Sequence, residues 1–141
     1  MLSFAARYAM GDVRLTVRVD FGAQRAFGPG KVRLLEAIGA AGSISRAGRT
    51  LGMSYRRAWL LVDDMNRSFR AAVVVTKGGG AKGGGAALTA FGRALIEKYR
   101  AIEARATAAT KPQLDALAGE LRGRPRGLRK TVKTSIGPAA R

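Results

Sequence analysis

Two short helical periodicities, separated by a three-residue break, constrain this chain more than any other feature of its sequence. Ser43 stands where an N-cap belongs, and Ile44, Ala47 and Leu51 then recur on one helix face. Gly52 stops that helix. After Gly52, Met53 and Ser54 a new apolar stripe begins, with Ala58, Leu61, Val62 and Met65 at i, i+3, i+4 and i+7. Two helices joined by so tight a Gly-containing turn pack as a helix-turn-helix spanning residues 43–66. The same phase leaves Tyr55, Arg56 and Arg57 on the exposed first turn of the second helix.

The flanking segments supply the rest of a domain. From Asp12 to Phe21, Val13, Leu15, Val17 and Val19 alternate with Arg14, Thr16, Arg18 and Asp20, which predicts a half-buried strand over 12–21, ended by Gly28, Pro29 and Gly30. From Lys31 the period lengthens, and Leu34, Leu35 and Ile38 mark a first helix that closes at Gly42. Beyond the helix-turn-helix, Ala72 to Thr76 is rich in β-branched residues, Gly78 to Gly85 holds six Gly in eight positions, and Ala86 to Leu88 is a return strand, so 72–88 reads as a hairpin with a bare tip. Thr89 caps a last helix over 89–110, about 33 Å long at 1.5 Å per residue. Three helices, a hairpin and a further helix make a winged helix-turn-helix, mainly α with a small β component.

Charge then narrows the partner. With 26 Lys and Arg against 9 Asp and Glu, the chain of 141 residues carries +17, which calls for a nucleic acid, an anionic membrane or an acidic protein. The last helix mixes Glu97 and Glu103 among its bases and lacks a Lys-rich face, which argues against a membrane surface. The absence of Cys and His removes disulfide scaffolds, thiolate zinc sites and the commonest general base. The acids are scattered, and the adjacent pair Asp63 and Asp64 points about 100° apart on a helix, so the chain is expected not to be an enzyme. No secretory leader or membrane span stands out, so the expected location is the cytoplasm, at the nucleoid.

On a helix-turn-helix these charges acquire roles. Ser54, Tyr55, Arg56 and Arg57 begin the helix that enters the major groove, where Arg binds guanine bidentately; Arg57 and Tyr55 are the expected base readers. Ser43, Ser45, Arg46 and Arg49 lie on the preceding helix, whose start abuts the phosphate backbone. Trp59 reads more readily as a core or subunit-contact residue than as a base-stacking one. In the wing, Lys77 and Lys82 are placed to reach phosphates, the alternative being a tip that makes no contact. Its glycines spell G-x-G-x-x-G at Gly78, Gly80 and Gly83, but they follow a strand without opening a helix, and Lys82 precedes Gly83 where a phosphate loop requires Ser or Thr.

Residues 111–141 read as a basic, largely disordered tail beyond a DNA-binding domain of residues 1–110. From Arg122 onward it has seven basic side chains, no acid, and the segment Arg122, Gly123, Arg124, Pro125, Arg126, Gly127. Arg122, Arg124 and Arg126 there resemble an AT-hook, which follows the narrow minor groove; an unspecific basic arm is the other reading.

From Lys31 to Ile102 the sequence resembles the N-terminal DNA-binding domain of ModE-type molybdenum-dependent regulators, related to the LysR-type winged helix. The likeness rests on Gly42-Ser43-Ile44-Ser45 with Ala47, Ser54-Tyr55 with Ala58-Trp59, Met65-Asn66, Gly78-Gly79, Lys82-Gly83-Gly84-Gly85-Ala86, Leu88-Thr89, Gly92, Leu95 and Tyr99. It implies a homodimer on a palindromic operator, with the N-terminal strand and a long C-terminal dimerisation helix at the subunit contact. Phe91, Leu95, Tyr99 and Ile102 form the apolar stripe of that helix. Such regulators sense molybdate in small β-barrel domains, and the Arg-, Gly- and Pro-rich residues after the last helix do not resemble one, so no cofactor is expected and molybdate has no support in the sequence. A nucleoid-type architectural protein with low sequence preference is the alternative function.

Overall fold

The computed structural model describes residues 13–78 and 85–122, which divide into two compact units, Thr16–Glu103 and, on either side of it, residues 13–15 and 104–122. The first unit opens with a small hairpin, β1 (Val19–Phe21) and β2 (Arg25–Phe27), antiparallel with Val19 opposite Phe27. It continues through α1 (Pro29–Ala41), α2 (Ile44–Thr50), α3 (Tyr55–Ser68), β3 (Val74–Thr76) and β4 (Ala86–Leu88) to α4 (Ala90–Ala109), whose last residues belong to the second unit. The wing pairs Val74 with Leu88 and Thr76 with Ala86.

The strand expected over 12–21 is shorter. Asp12 lies outside the described residues; the alternation is realised as alternating burial from Val13 to Asp20, but a ladder forms only at Val19–Phe21. Its partner β2 escapes a reading by periodicity because it is three residues long, and the turn is marked by Gly22, at φ 75°. Pro29, read as a terminator, sits in the first turn of α1, where a missing N–H costs nothing.

Each helix of the helix-turn-helix is started and stopped locally. Gly42 ends α1 at φ 70°, its N–H donating to the Ile38 carbonyl at 2.8 Å. The Ser43 hydroxyl accepts from the Arg46 amide and the Ser54 hydroxyl from the Arg57 amide, both at 3.1 Å, so α2 and α3 are capped alike. Between them Gly52 takes φ 73°. A Cβ on Gly48 would stand 3.0 Å from that of Ala58, so a glycine there is what lets α2 lie close to α3.

One core holds these elements. Val32, Leu34, Leu35 and Ile38 of α1 meet Ile44 and Ala47 of α2, Ala58, Val62 and Met65 of α3, Val73 and Val74 at the wing, and Leu95 and Tyr99 of α4. The Tyr99 hydroxyl donates to the Val17 carbonyl at 2.7 Å, and its ring meets Phe27 edge-on at 5.6 Å, which draws the N-terminal hairpin into the same core. Arg100 bridges α1 and α4: its guanidinium donates to both Glu36 oxygens, at 3.0 and 2.8 Å, and to Glu103 at 2.8 Å. The Glu36 hydrogen bonds, aided by Glu103 and opposed by burial, hold its pKa well above the ordinary arginine value.

In the second unit α4 runs out at Ala109, and the Thr110 hydroxyl returns to the Ala106 carbonyl at 2.7 Å. A further helix follows, α5 (Lys111–Gly119), where an irregular tail was expected. Pro112 is tolerated because it falls in the first turn, and Lys111 pairs with Asp115 one turn on at 2.9 Å. The expected boundary at 110 thus falls between two helices of one unit.

Candidate nucleic-acid interface

The first turn of α3 is an open basic surface of the helix-turn-helix. Tyr55 is 61% exposed, and Arg56 and Arg57 are exposed beside it. Neither guanidinium has an ion pair or hydrogen bond among the described residues, and the chain has no acid between Glu36 and Asp63. Arg56 lies about 200° round the helix from buried Ala58, pointing away from the core, while Tyr55 and Arg57 flank it. The Ser54 cap fixes where this turn begins and takes up the Arg57 amide, while the three exposed side chains fan out over about 200° around the helix start.

α2 contributes a second tier. Arg46 is exposed and its side chain is unpaired among the described residues, whereas Arg49 donates to the Ser45 hydroxyl at 3.2 Å. Ser43 is spent on its own cap. Lys77 is exposed at the end of β3, its amide donating to the Gly85 carbonyl at 2.8 Å; Lys82 lies outside the described residues. Arg122 is exposed, and Arg124 and Arg126 fall outside the described residues.

Hydrogen bonds that periodicity does not reveal set the wing against α3. The Asn66 carboxamide oxygen accepts from the amides of Val73 at 2.7 Å and Val74 at 3.1 Å, and its nitrogen donates to the Val74 carbonyl at 3.0 Å. Thr89 donates to the Ala72 carbonyl at 2.7 Å and accepts from the Gly92 amide at 2.9 Å, as the expected cap of α4. A Cβ on Gly92 would overlap the Val73 carbonyl oxygen. The Ala86 amide donates to the Gly42 carbonyl at 2.9 Å, tying β4 to the start of the helix-turn-helix.

The residues assigned to a dimer stripe do not form one open face. Leu95 and Tyr99 are buried in the core of the chain itself, Tyr99 at 2% exposure, and Phe91 packs against that core beside Phe69. Leu95 and Tyr99 thus serve the core of the chain itself, because the start of α4 covers α1 and the wing; Ile102, 45% exposed, is the member left open. Trp59, expected to sit in a core or subunit contact, is 37% exposed and meets Tyr55 edge-on at 6.1 Å. Asp63 and Asp64 are salt-bridged, to Arg67 at 3.1 Å and to Lys31. Among the described residues no cluster of three His, Cys, Asp or Glu side chains is placed to hold a metal ion, and no helix is long and apolar enough to cross a membrane.

No family model matches the sequence. Individual proteins do. The chain is 52% identical over 98 residues to the molybdenum-pterin-binding protein MopB of Rhodobacter capsulatus, covering 70% of this chain and 34% of that protein. It is 39% identical over 90 residues to the molybdenum transport protein ModE of Azotobacter vinelandii, covering 64% and 33%. To the DNA-binding transcriptional dual regulator ModE of Escherichia coli it is 36% identical over 89 residues, covering 62% and 33%. The chain thus spans about a third of the length of these relatives. Over the third of their length that it matches, the chain belongs with the ModE-type regulators.

Proposed function

We propose that this chain binds double-stranded DNA through its winged helix-turn-helix and regulates transcription, acting in the cytoplasm as a homodimer on a palindromic operator. The observation that carries the reading is the pair Arg56 and Arg57, unpaired among the described residues, on a capped, outward-facing helix start with no acid near it in sequence. Free guanidinia at a helix start suit guanine O6 and N7 or backbone phosphate, and the exposed Arg46 and Lys77 on neighbouring elements suit register-setting phosphate contacts. A relative named as a DNA-binding transcriptional dual regulator supports the same reading. In a dimer the two α3 helices lie about 34 Å apart, one turn of the duplex.

Selection of bound duplex from a random pool, by the full chain and by Arg57→Ala, tests this. The expected result is a two-fold symmetric consensus with half-sites about one helical turn apart, whose discrimination from random DNA falls by roughly 10- to 100-fold in the variant, as for one lost bidentate base contact. An unchanged discrimination removes base reading from this helix.

A further inference from the structure

We infer that the apolar residues exposed on α3, Leu60 foremost with Trp59 and Tyr55 beside it, read the C5-methyl groups of thymine in the major groove. The inference rests on the DNA-binding reading above and adds a chemical specificity to it. Leu60 is 53% exposed and lies two residues from both Ala58 and Val62, the buried face of α3, so it stands on the opposite ridge of the helix. Arg56 precedes it by one turn on that ridge. Trp59 and Tyr55, in edge-on contact at 6.1 Å, carry the apolar surface along one flank back to the helix start.

A single exposed Leu needs no explanation, whereas three large apolar side chains, Leu60, Trp59 and Tyr55, exposed within two turns of one helix do. None of the three belongs to the core cluster, which Ala58, Val62 and Met65 supply from the other face; Leu60 and Tyr55 are the more open, and Trp59 is 37% exposed. Its surroundings select the occupant. Arg56 and Arg57 at its margin are unpaired among the described residues, and the two acids one turn beyond Leu60 are both neutralised, Asp63 by Arg67 at 3.1 Å and Asp64 by Lys31. A second copy seated here would bring the same free arginines against themselves. A polyanion with an apolar feature on its groove floor fits both properties, and in duplex DNA that feature is the thymine methyl group. Arginine at the helix start and Leu60 one turn on then read neighbouring base pairs by different chemistries, hydrogen bonding and apolar contact.

The test uses the duplex recovered by selection, made again with deoxyuridine in place of thymidine so that only the methyl groups are lost. The full chain is expected to bind the uracil duplex about fourfold more weakly per contacted methyl, from roughly 0.8 kcal/mol per buried methyl-sized group. Leu60→Ala, at an exposed position that leaves the core intact, is expected to bind the two duplexes with nearly equal affinity, while Leu117→Ala on α5, equally exposed, keeps the full difference. Equal binding of both duplexes by the unaltered chain overturns the inference and leaves DNA binding standing. So does a Leu60→Ala variant that keeps the whole difference, or one that loses self-association instead. A pool from which nothing is recovered overturns the DNA-binding reading, and this one with it.

Discussion

The two ends of α3 both carry polar and charged side chains and use them in opposite ways. At its start Arg56 and Arg57 are exposed and unpaired among the described residues. At its finish every polar group is engaged: Asp63 with Arg67, Asp64 with Lys31, the Ser68 hydroxyl with the Asp64 carbonyl at 2.7 Å, and Asn66 with the strand that opens the wing. The lesson is one of satisfaction. A polar side chain whose hydrogen bonds close within the chain holds the fold; one left open on a rigid, capped turn is available to a partner. Arg100 makes the same point from another helix, since two glutamates hold its guanidinium.

Substitutions at the two ends should therefore separate stability from binding. The largest expected effect is at the closed end: Asn66→Ala strips the acceptor from the Val73 and Val74 amides and is expected to cost about 2 kcal/mol of stability, read as a lower urea midpoint with unchanged slope. An unshifted midpoint would mean that water replaces the carboxamide and that the closed end is less closed than its geometry implies. At the open end, Arg56→Ala is expected to leave that midpoint within about 0.5 kcal/mol of the unaltered chain and to lower the magnitude of the salt slope of DNA affinity by about one. A clear loss of stability there would end the division of labour.

Ser54→Ala falls between the two, since the hydroxyl both caps α3 and sets the first turn. About 1 kcal/mol of stability should be lost, with a parallel loss of DNA affinity as the turn that carries Arg56 and Arg57 frays. The smallest effect is expected from Asp63→Asn. Its ion pair with Arg67 is exposed, 78% and 53%, so only a few tenths of a kcal/mol of stability should go. Removal of a negative charge from the outward ridge should meanwhile tighten DNA binding by about twofold at low salt and by less at high salt, measurable by titration at two ionic strengths.

Much of this was legible in residue order. Periodicity placed the two helices of the helix-turn-helix, and Ser43 and Thr89 marked the caps of α2 and α4, whereas the cap that Ser54 gives α3 lay inside what reads as the break between helices. Periodicity failed where elements are short or where one stripe serves two ends. β2 is three residues long, below the length at which alternation can be seen. α5 was hidden by Pro112 and the basic residues beyond it, although a proline in a first turn is no obstacle. The stripe of α4 reads as a single face, yet Leu95 and Tyr99 are buried and Ile102 is open, because only the first part of the helix has α1 and the wing to cover.

What residue order determined by itself is the sequence of periods, the stops between them and the acid-free stretch from Ala37 to Val62, because these depend only on neighbours along the chain. What the tertiary structure decided is which cations of that stretch stay unpaired among the described residues and which polar groups are consumed. Lys31 finds Asp64 thirty-three residues away and Arg100 finds Glu36 sixty-four residues away, distances at which no local pattern carries information. Ion pairs and hydrogen bonds of that span form only once the core has brought the elements together, so the difference between a scaffold arginine and an interface arginine is a property of the fold.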